Sequence, residues 1–168
     1  ALLGVDALAV TVETHLSNGL PAFAIVGLPE TAVKESKERV RSAIINSGLE
    51  FPTRRITVNL APADLPKAGG SYDLAIALSI LIASGQLKRR MLENMEVLGE
   101  LALDGSIRAV PGTVCAILAA KRQANKILLP AANTEELSLV AYKHSYSSSS
   151  LSELFQALTQ GIPALEFP

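Results

Sequence analysis

The stretch Ile56-Thr57-Val58-Asn59-Leu60-Ala61-Pro62-Ala63-Asp64-Leu65-Pro66-Lys67-Ala68-Gly69-Gly70-Ser71-Tyr72-Asp73-Leu74-Ala75-Ile76-Ala77-Leu78 changes its period halfway along. Ile56, Val58 and Leu60 alternate with Thr57 and Asn59, the two-residue repeat of a half-buried strand, which begins at Arg54. A loop rich in Pro, Lys and Gly runs from Ala61 to Gly70. From about Tyr72 to Ala83 the chain is apolar almost throughout, with polar residues only near the ends and at Ser79. A helix of that composition has no face to give to water and belongs in the middle of the fold.

Toward the N-terminus, Val5 to His15 alternates as a strand and Ala22 to Val26 reads as a second. The turn residues Ser17-Asn18-Gly19 between them predict that the two pair as a hairpin. Pro29 then opens a helix, where its missing N–H costs nothing. Val33, Val40 and Ile44 mark its buried stripe, Glu30 with Lys34 and Glu35 with Arg39 are favourable i,i+4 pairs, and Asn46-Ser47-Gly48 ends it.

Toward the C-terminus, Glu96 to Leu101 and Ser106 to Ala109 read as strands around the turn Asp104-Gly105. Gly112 to Gln123 reads as a helix, Lys126 to Leu129 as a strand, Thr134 to Leu137 as a helical turn, and Leu139 to Tyr142 as a last strand. The serine run Ser147 to Ser150 is a loop or helix start before a terminal helix, Leu151 to Thr159. Early hairpins followed by αβ units predict a sheet with helices packed on it, an α/β (α+β) two-layer sandwich.

The bulk properties narrow the function classes. The 168 residues suit one domain, and 49% hydrophobic against 18% charged excludes a disordered chain. A net charge of −1 supplies no global attraction to polyanions, so any nucleic-acid contact has to be a local patch. No apolar run reaches the roughly 18–20 residues of a membrane span, so no membrane partner is expected. Neither a basic n-region nor a cleavage motif is visible, and a single cysteine, Cys115, excludes an internal disulfide; cytoplasm is the expected compartment.

Three segments, Gly27 to Gly48, Ile56 to Leu78 and Leu98 to Gly112 (Leu-Gly-Glu-Leu-Ala-Leu-Asp-Gly-Ser-Ile-Arg-Ala-Val-Pro-Gly), cover much of the chain. They resemble the N-terminal Lon-protease-like domain of the ComM / magnesium-chelatase-like (ChlI-type) AAA+ ATPase family and, more distantly, the Lon protease catalytic domain. The resemblance implies a fold like domain 2 of ribosomal protein S5. It implies a Lon-like domain over residues 1–160 and, at 161–168, the start of a linker to an AAA+ ATPase domain. It further implies a homo-hexameric parent that migrates DNA branches during natural transformation (competence), with ATP and Mg²⁺ held in the ATPase domain and no cofactor here.

Pro66-Lys-Ala-Gly-Gly-Ser71 resembles the Lon segment that carries the nucleophile, and a serine needs a base within reach to be activated. In the Lon pattern that base is a lysine on the helix after the Pro-x-Gly segment, and the position falls on Ala116 here. Lys121 lies five residues later, about 140° further round a helix. Ser71 is then better read as an N-cap for the helix at Tyr72, with Asp73 in its first turn, and no catalytic residue is assigned. A degenerate or cryptic serine peptidase using Ser71, with Lys67 or Lys121 as base, is the alternative.

No phosphate-cradling Gly-x-x-x-x-Gly-Lys-Ser/Thr occurs, because no lysine follows Gly69-Gly70. His15, His144 and Cys115 lack a metal-ligand spacing, and Cys115, among small and apolar helix residues, reads as a core hydrophobe. Nucleic acid has local support. From Lys34 to Lys67 the bases Lys34, Lys37, Arg39, Arg41, Arg54, Arg55 and Lys67 outnumber the acids Glu35, Glu38, Glu50 and Asp64, and Lys88-Arg89-Arg90 form a second cluster. Arg54 and Arg55, adjacent at a strand entry without an acid beside them, lead the candidates, followed by Lys67, Lys37 and Arg41. Pairing of helix bases with acids and the scarcity of aromatics weigh against a stacking platform. The expected role is a non-catalytic accessory domain contributing to DNA engagement or hexamer assembly.

Overall fold

The computed structural model describes residues 4–7, 10–62 and 70–160. At its centre lies the helix α2, Asp73–Ala83, counted with α1, Glu30–Asn46, as the first two helices of the chain. Every residue of α2 from Asp73 to Leu81 is buried. That is the environment an all-apolar helix requires. The helix packs on α1 and on the first two strands, β1 (Val5–Ala7) and β2 (Val10–Ser17). Thus the apolar stretch beginning near Tyr72 is the central helix, as its composition predicts.

The remaining strands are β3 (Ala22–Val26), β4 (Arg55–Ala61), β5 (Met95–Val97), β6 (Glu100–Leu101), β7 (Ile107–Arg108), β8 (Lys126–Pro130) and β9 (Ser145–Ser148). Of the nine strands described, seven form one mixed sheet in the order β3-β4-β2-β1-β5-β8-β9, and β6 with β7 make a separate antiparallel pair. The architecture is therefore mixed α/β. In β4 burial alternates, Ile56, Val58 and Leu60 being buried and Arg55, Asn59 and Ala61 exposed. One face of the sheet there is packed and the other meets solvent, as in a two-layer arrangement. All of β5, and Ile127 to Pro130 of β8, are buried, so this part of the sheet is covered on both faces.

The hairpin expected between Val5–His15 and Ala22–Val26 does not form. Val5–His15 is divided into β1 and β2, which pair with each other antiparallel, Val5 opposite Val12 and Ala7 opposite Val10. β4 lies between β2 and β3, antiparallel to the first and parallel to the second. The reason is α1: a helix between β3 and β4 provides the crossover that a parallel pair needs. β4 then buries Ile56, Val58 and Leu60 beneath the helices. Gly27, after β3, has φ of +102°, and a Cβ there would stand 2.3 Å from the Leu60 carbonyl oxygen, so only glycine lets the chain leave the sheet at this point.

The last strand is also displaced from its expected place. Leu139 is 77% exposed, and β9 forms instead at Ser145–Ser148, parallel to β8. The serine run thus supplies the end of a strand and a helix entry. Ser150 Oγ accepts the Glu153 N–H at 3.1 Å, while Ser149 Oγ donates to the Glu153 carboxylate at 2.9 Å. This Ser-x-x-Glu contact starts the helix α5, Leu151–Gln160, numbered after α3, Thr113–Arg122, and α4, Thr134–Leu137. The expected tight turn at Asp104-Gly105 joins β6 to β7, with Glu100 opposite Arg108. Residues 161–168, read as linker, lie outside the described residues.

Candidate functional site

Lys34, Lys37, Arg41 and Ile45 recur at three- and four-residue steps along α1 and so form one stripe on its surface. That stripe is one wall of a groove of about 660 Å³. The opposite side is built from Pro21, Ala22 and Phe23 at the start of β3 and from Phe51 to Arg54 ahead of β4. Four bases, Lys34, Lys37, Arg41 and Arg54, therefore face the groove together with a single acid, Glu38. Among the described residues the ion pairs are those of Arg39. The expected Glu30–Lys34 pair is not among them, and the four groove bases have no ion-pair partner among the described residues.

The groove also holds aromatic rings. Phe23 and Phe51, both half-buried, lie with centroids 5.4 Å apart at 53°, and the Arg41 guanidinium is 5.9 Å from the Phe51 centroid. This grouping escaped the sequence reading because Phe23 and Phe51 stand on either side of α1. The one local signal was Phe51-Pro52, three residues ahead of Arg54.

The five candidate cations do not all come together. Lys37, Arg41 and Arg54 line the groove. Arg55 does not, because neighbouring residues of an extended chain point to opposite sides. Arg54 lines the groove, with Nη2 3.5 Å from Asn18 Oδ1, whereas Arg55 opens the exposed row of β4 that continues at Asn59. Lys67 lies outside the described residues. Lys88, Arg89 and Arg90 are exposed but line no part of the groove.

Ser71 is 8% exposed and does not cap α2. The N-cap position is Tyr72, with no side-chain capping bond. Instead the Leu74 N–H donates to the Gly99 carbonyl and the Gly99 N–H to the Ser71 carbonyl, each at 3.0 Å. This backbone exchange satisfies a helix N–H that a capping hydroxyl otherwise takes. Ala116 is fully buried in α3 and has no group to accept a proton, while Lys121 is exposed near the end of that helix. No hydrogen bond joins Lys121 to Ser71, and Lys67 is outside the described residues.

Asp73, two residues after Ser71, holds a charge cluster. Its Oδ1 accepts from Ser36 Oγ at 2.7 Å and its Oδ2 from Arg39 Nε at 2.6 Å and the Leu101 N–H at 3.2 Å. Burial pushes the Asp73 carboxyl up, and the bonds from Arg39 and Ser36 pull against it. The same bond to Asp73 raises Arg39, against the effect of burial. Arg39 also lies 3.7 Å from Glu35 and 3.9 Å from Glu100. Sequence spacing found the Glu35 contact and missed the stronger, buried one.

Cys115 is exposed, contrary to its reading as a core residue. Thr113, Ala116, Ile117 and Ala120 are the buried stripe of α3, and their spacing turns Cys115 outward. No group of three metal-ligating side chains occurs among the described residues. His144 packs edge-on against Tyr142, with centroids 5.6 Å apart.

The family described as subunit ChlI of Mg-chelatase matches residues 12–133. The chain is 50% identical over all 168 residues to protein YifB of Salmonella typhimurium, spanning 33% of that protein. It is 49% identical over 158 residues, 94% of its own length, to competence protein ComM of Haemophilus influenzae, of which it spans 31%. A lower similarity, 27% over 134 residues, links 75% of the chain to 17% of the Lon protease of Clostridioides difficile. The chain thus corresponds to about a third of its ComM and YifB relatives.

Proposed function

This chain belongs to the family of the ChlI subunit of magnesium chelatase, and we propose that it serves as a non-catalytic accessory domain that engages DNA for a ComM-like parent. The rest of such a parent, about two-thirds of its length, is the place for the ATPase chemistry, with ATP and Mg²⁺ bound there and the hexamer formed there. This domain contributes the grip on the polyanion.

The observation that carries the reading is the convergence of Lys34, Lys37, Arg41 and Arg54 on one groove without an ion-pair partner among the described residues. Cations already neutralised by neighbouring acids release no counterions on binding DNA, and these four keep that capacity. The rest of the chain carries a net negative charge, so the groove is a local polyanion site on a near-neutral chain. The test is fluorescence anisotropy of labelled single-stranded, duplex and forked DNA across a salt series. Saturable binding that weakens steeply with salt is expected, and no binding at low salt returns the domain to a role in ring assembly. The peptidase reading has less support, since Ser71 has neither a lysine at position 116 nor a bond to Lys121.

A further inference from the structure

We propose that the groove takes a single strand, with a base stacked at Phe51 and the phosphates held by Lys34, Lys37 and Arg54. The inference rests on the DNA-engaging reading and adds the physical form of the ligand. In a duplex the faces of the bases are covered by their neighbours, so rings recessed in a groove gain nothing from it. In a single strand every base has a free π-face, and aromatic rings beside cations are the means by which proteins hold it without reading sequence.

The chain has four phenylalanines and no tryptophan, and two of the four meet in its basic groove. Phe23 backs Phe51 at 5.4 Å, fixing the ring. Arg41 offers a planar guanidinium on the same ring at 5.9 Å, and no acid competes for it among the described residues. Phe51 is half-buried and lines the groove, so a base entering there meets a ring already held by Phe23, with the Arg41 guanidinium beside it. Lys34 and Lys37, one helical turn apart on α1, and Arg54 across the groove put positive charge on both sides of that ring.

The absence of tryptophan makes the test direct. In the Phe51→Trp chain the only indole stands in the groove, and a stacking base quenches it. A 12-nucleotide thymidine strand is expected to bind and quench saturably; a 12-unit abasic strand of the same charge is expected to bind more weakly, without quenching. A 12-base-pair duplex is expected to leave the indole unquenched. Phe51→Leu keeps an apolar side chain and removes the ring. It is expected to weaken the thymidine strand roughly five- to hundredfold, the range that one stacked base confers, with an unchanged salt slope. Should Phe51→Leu fail to fold, as read by its melting curve, quenching of Phe51→Trp decides.

Equal binding of thymidine and abasic strands, with no quenching, overturns the stacking proposal. If Lys37→Ala and Arg54→Ala then still weaken both strands, the DNA-engaging reading survives it. No binding to any strand at low salt overturns both, and binding of polyglutamate instead assigns the groove to an acidic protein segment.

Discussion

Arg39 Nε donates to Asp73 Oδ2 at 2.6 Å, tying the middle of α1 to the first residue of α2 across 34 positions of sequence. The carboxylate is 1% exposed and the guanidinium 18%, so the pair is sheltered on one side and wet on the other. Four donors, from Ser36, Arg39 twice and the Leu101 N–H, satisfy the buried charge. It is this saturation that lets a charge be buried at the start of the apolar helix α2.

Replacing Asp73 by Ala therefore strands all its donors at once. The expected cost is about 3–5 kcal/mol, the range for breaking a buried pair from one side. Urea unfolding monitored by circular dichroism measures it. An Asp73→Ala chain with an unchanged midpoint contradicts the assignment of this pair as the bond between the helices.

Glu96 is the opposite case. It is 5% exposed, and its Oε2 has no partner. Burial pushes its carboxyl up, and Asp6, its neighbour across β1 and β5, adds to the shift. A raised folded value means that the native state holds the proton after the unfolded chain has lost it. The stability it contributes is present below the unfolded value of about 4.3 and lost as pH rises through the folded one. Glu96→Gln is expected to match the parent near pH 4 and to exceed it at pH 7. Thermal melting at the two pH values tests this, and a larger gain at pH 4 than at pH 7 contradicts the sign.

Ser71 has no activating base among the described residues, and the proposed non-catalytic role predicts a hydroxyl with the reactivity of an ordinary serine. A fluorophosphonate probe is expected to leave the chain unlabelled, identically to Ser71→Ala. Labelling that disappears in Ser71→Ala revives the peptidase reading.

Cys115 faces solvent from α3. It is expected to react fully with a disulfide reagent in the native chain, with no added denaturant. Protection until the chain unfolds contradicts the orientation of α3.

Part of this was legible in the sequence and part was not, for definite reasons. α2 showed itself by composition, since eleven residues apolar but for Asp73 and Ser79 fit only the centre of the fold. α1 showed its stripe and its charged face by period. Strand order was hidden: Ala22–Val26 follows a good turn, and nothing local says that Arg55–Ala61 inserts between it and β2. Cys115 was misread because small neighbours were taken for burial, where the i, i+3, i+4 spacing of Thr113, Ala116 and Ile117 decides. The basic run was visible, but its use was not. Phe23 and Phe51 meet only once β3 and β4 lie side by side, and Asp73 removes Arg39 from the set of free cations.

The adjacent residues Arg54 and Arg55 give the sharpest test of the groove. In the sequence they are one cluster, and any model based on net charge treats them alike. The strand beginning at Arg55 separates them by the alternation of its side chains, leaving Arg54 in the groove and Arg55 on the exposed face of the sheet. Each Ala substitution removes one positive charge, so long-range attraction falls equally in both. A local phosphate contact is lost only in Arg54→Ala. That variant is expected to weaken binding to every strand and to flatten the salt dependence by about one unit of slope. Arg55→Ala is expected to keep the parent's slope, and anisotropy titrations at several salt concentrations measure both. Equal slopes in the two variants mean that the protein attracts DNA by its general field and that the groove is not the point of contact.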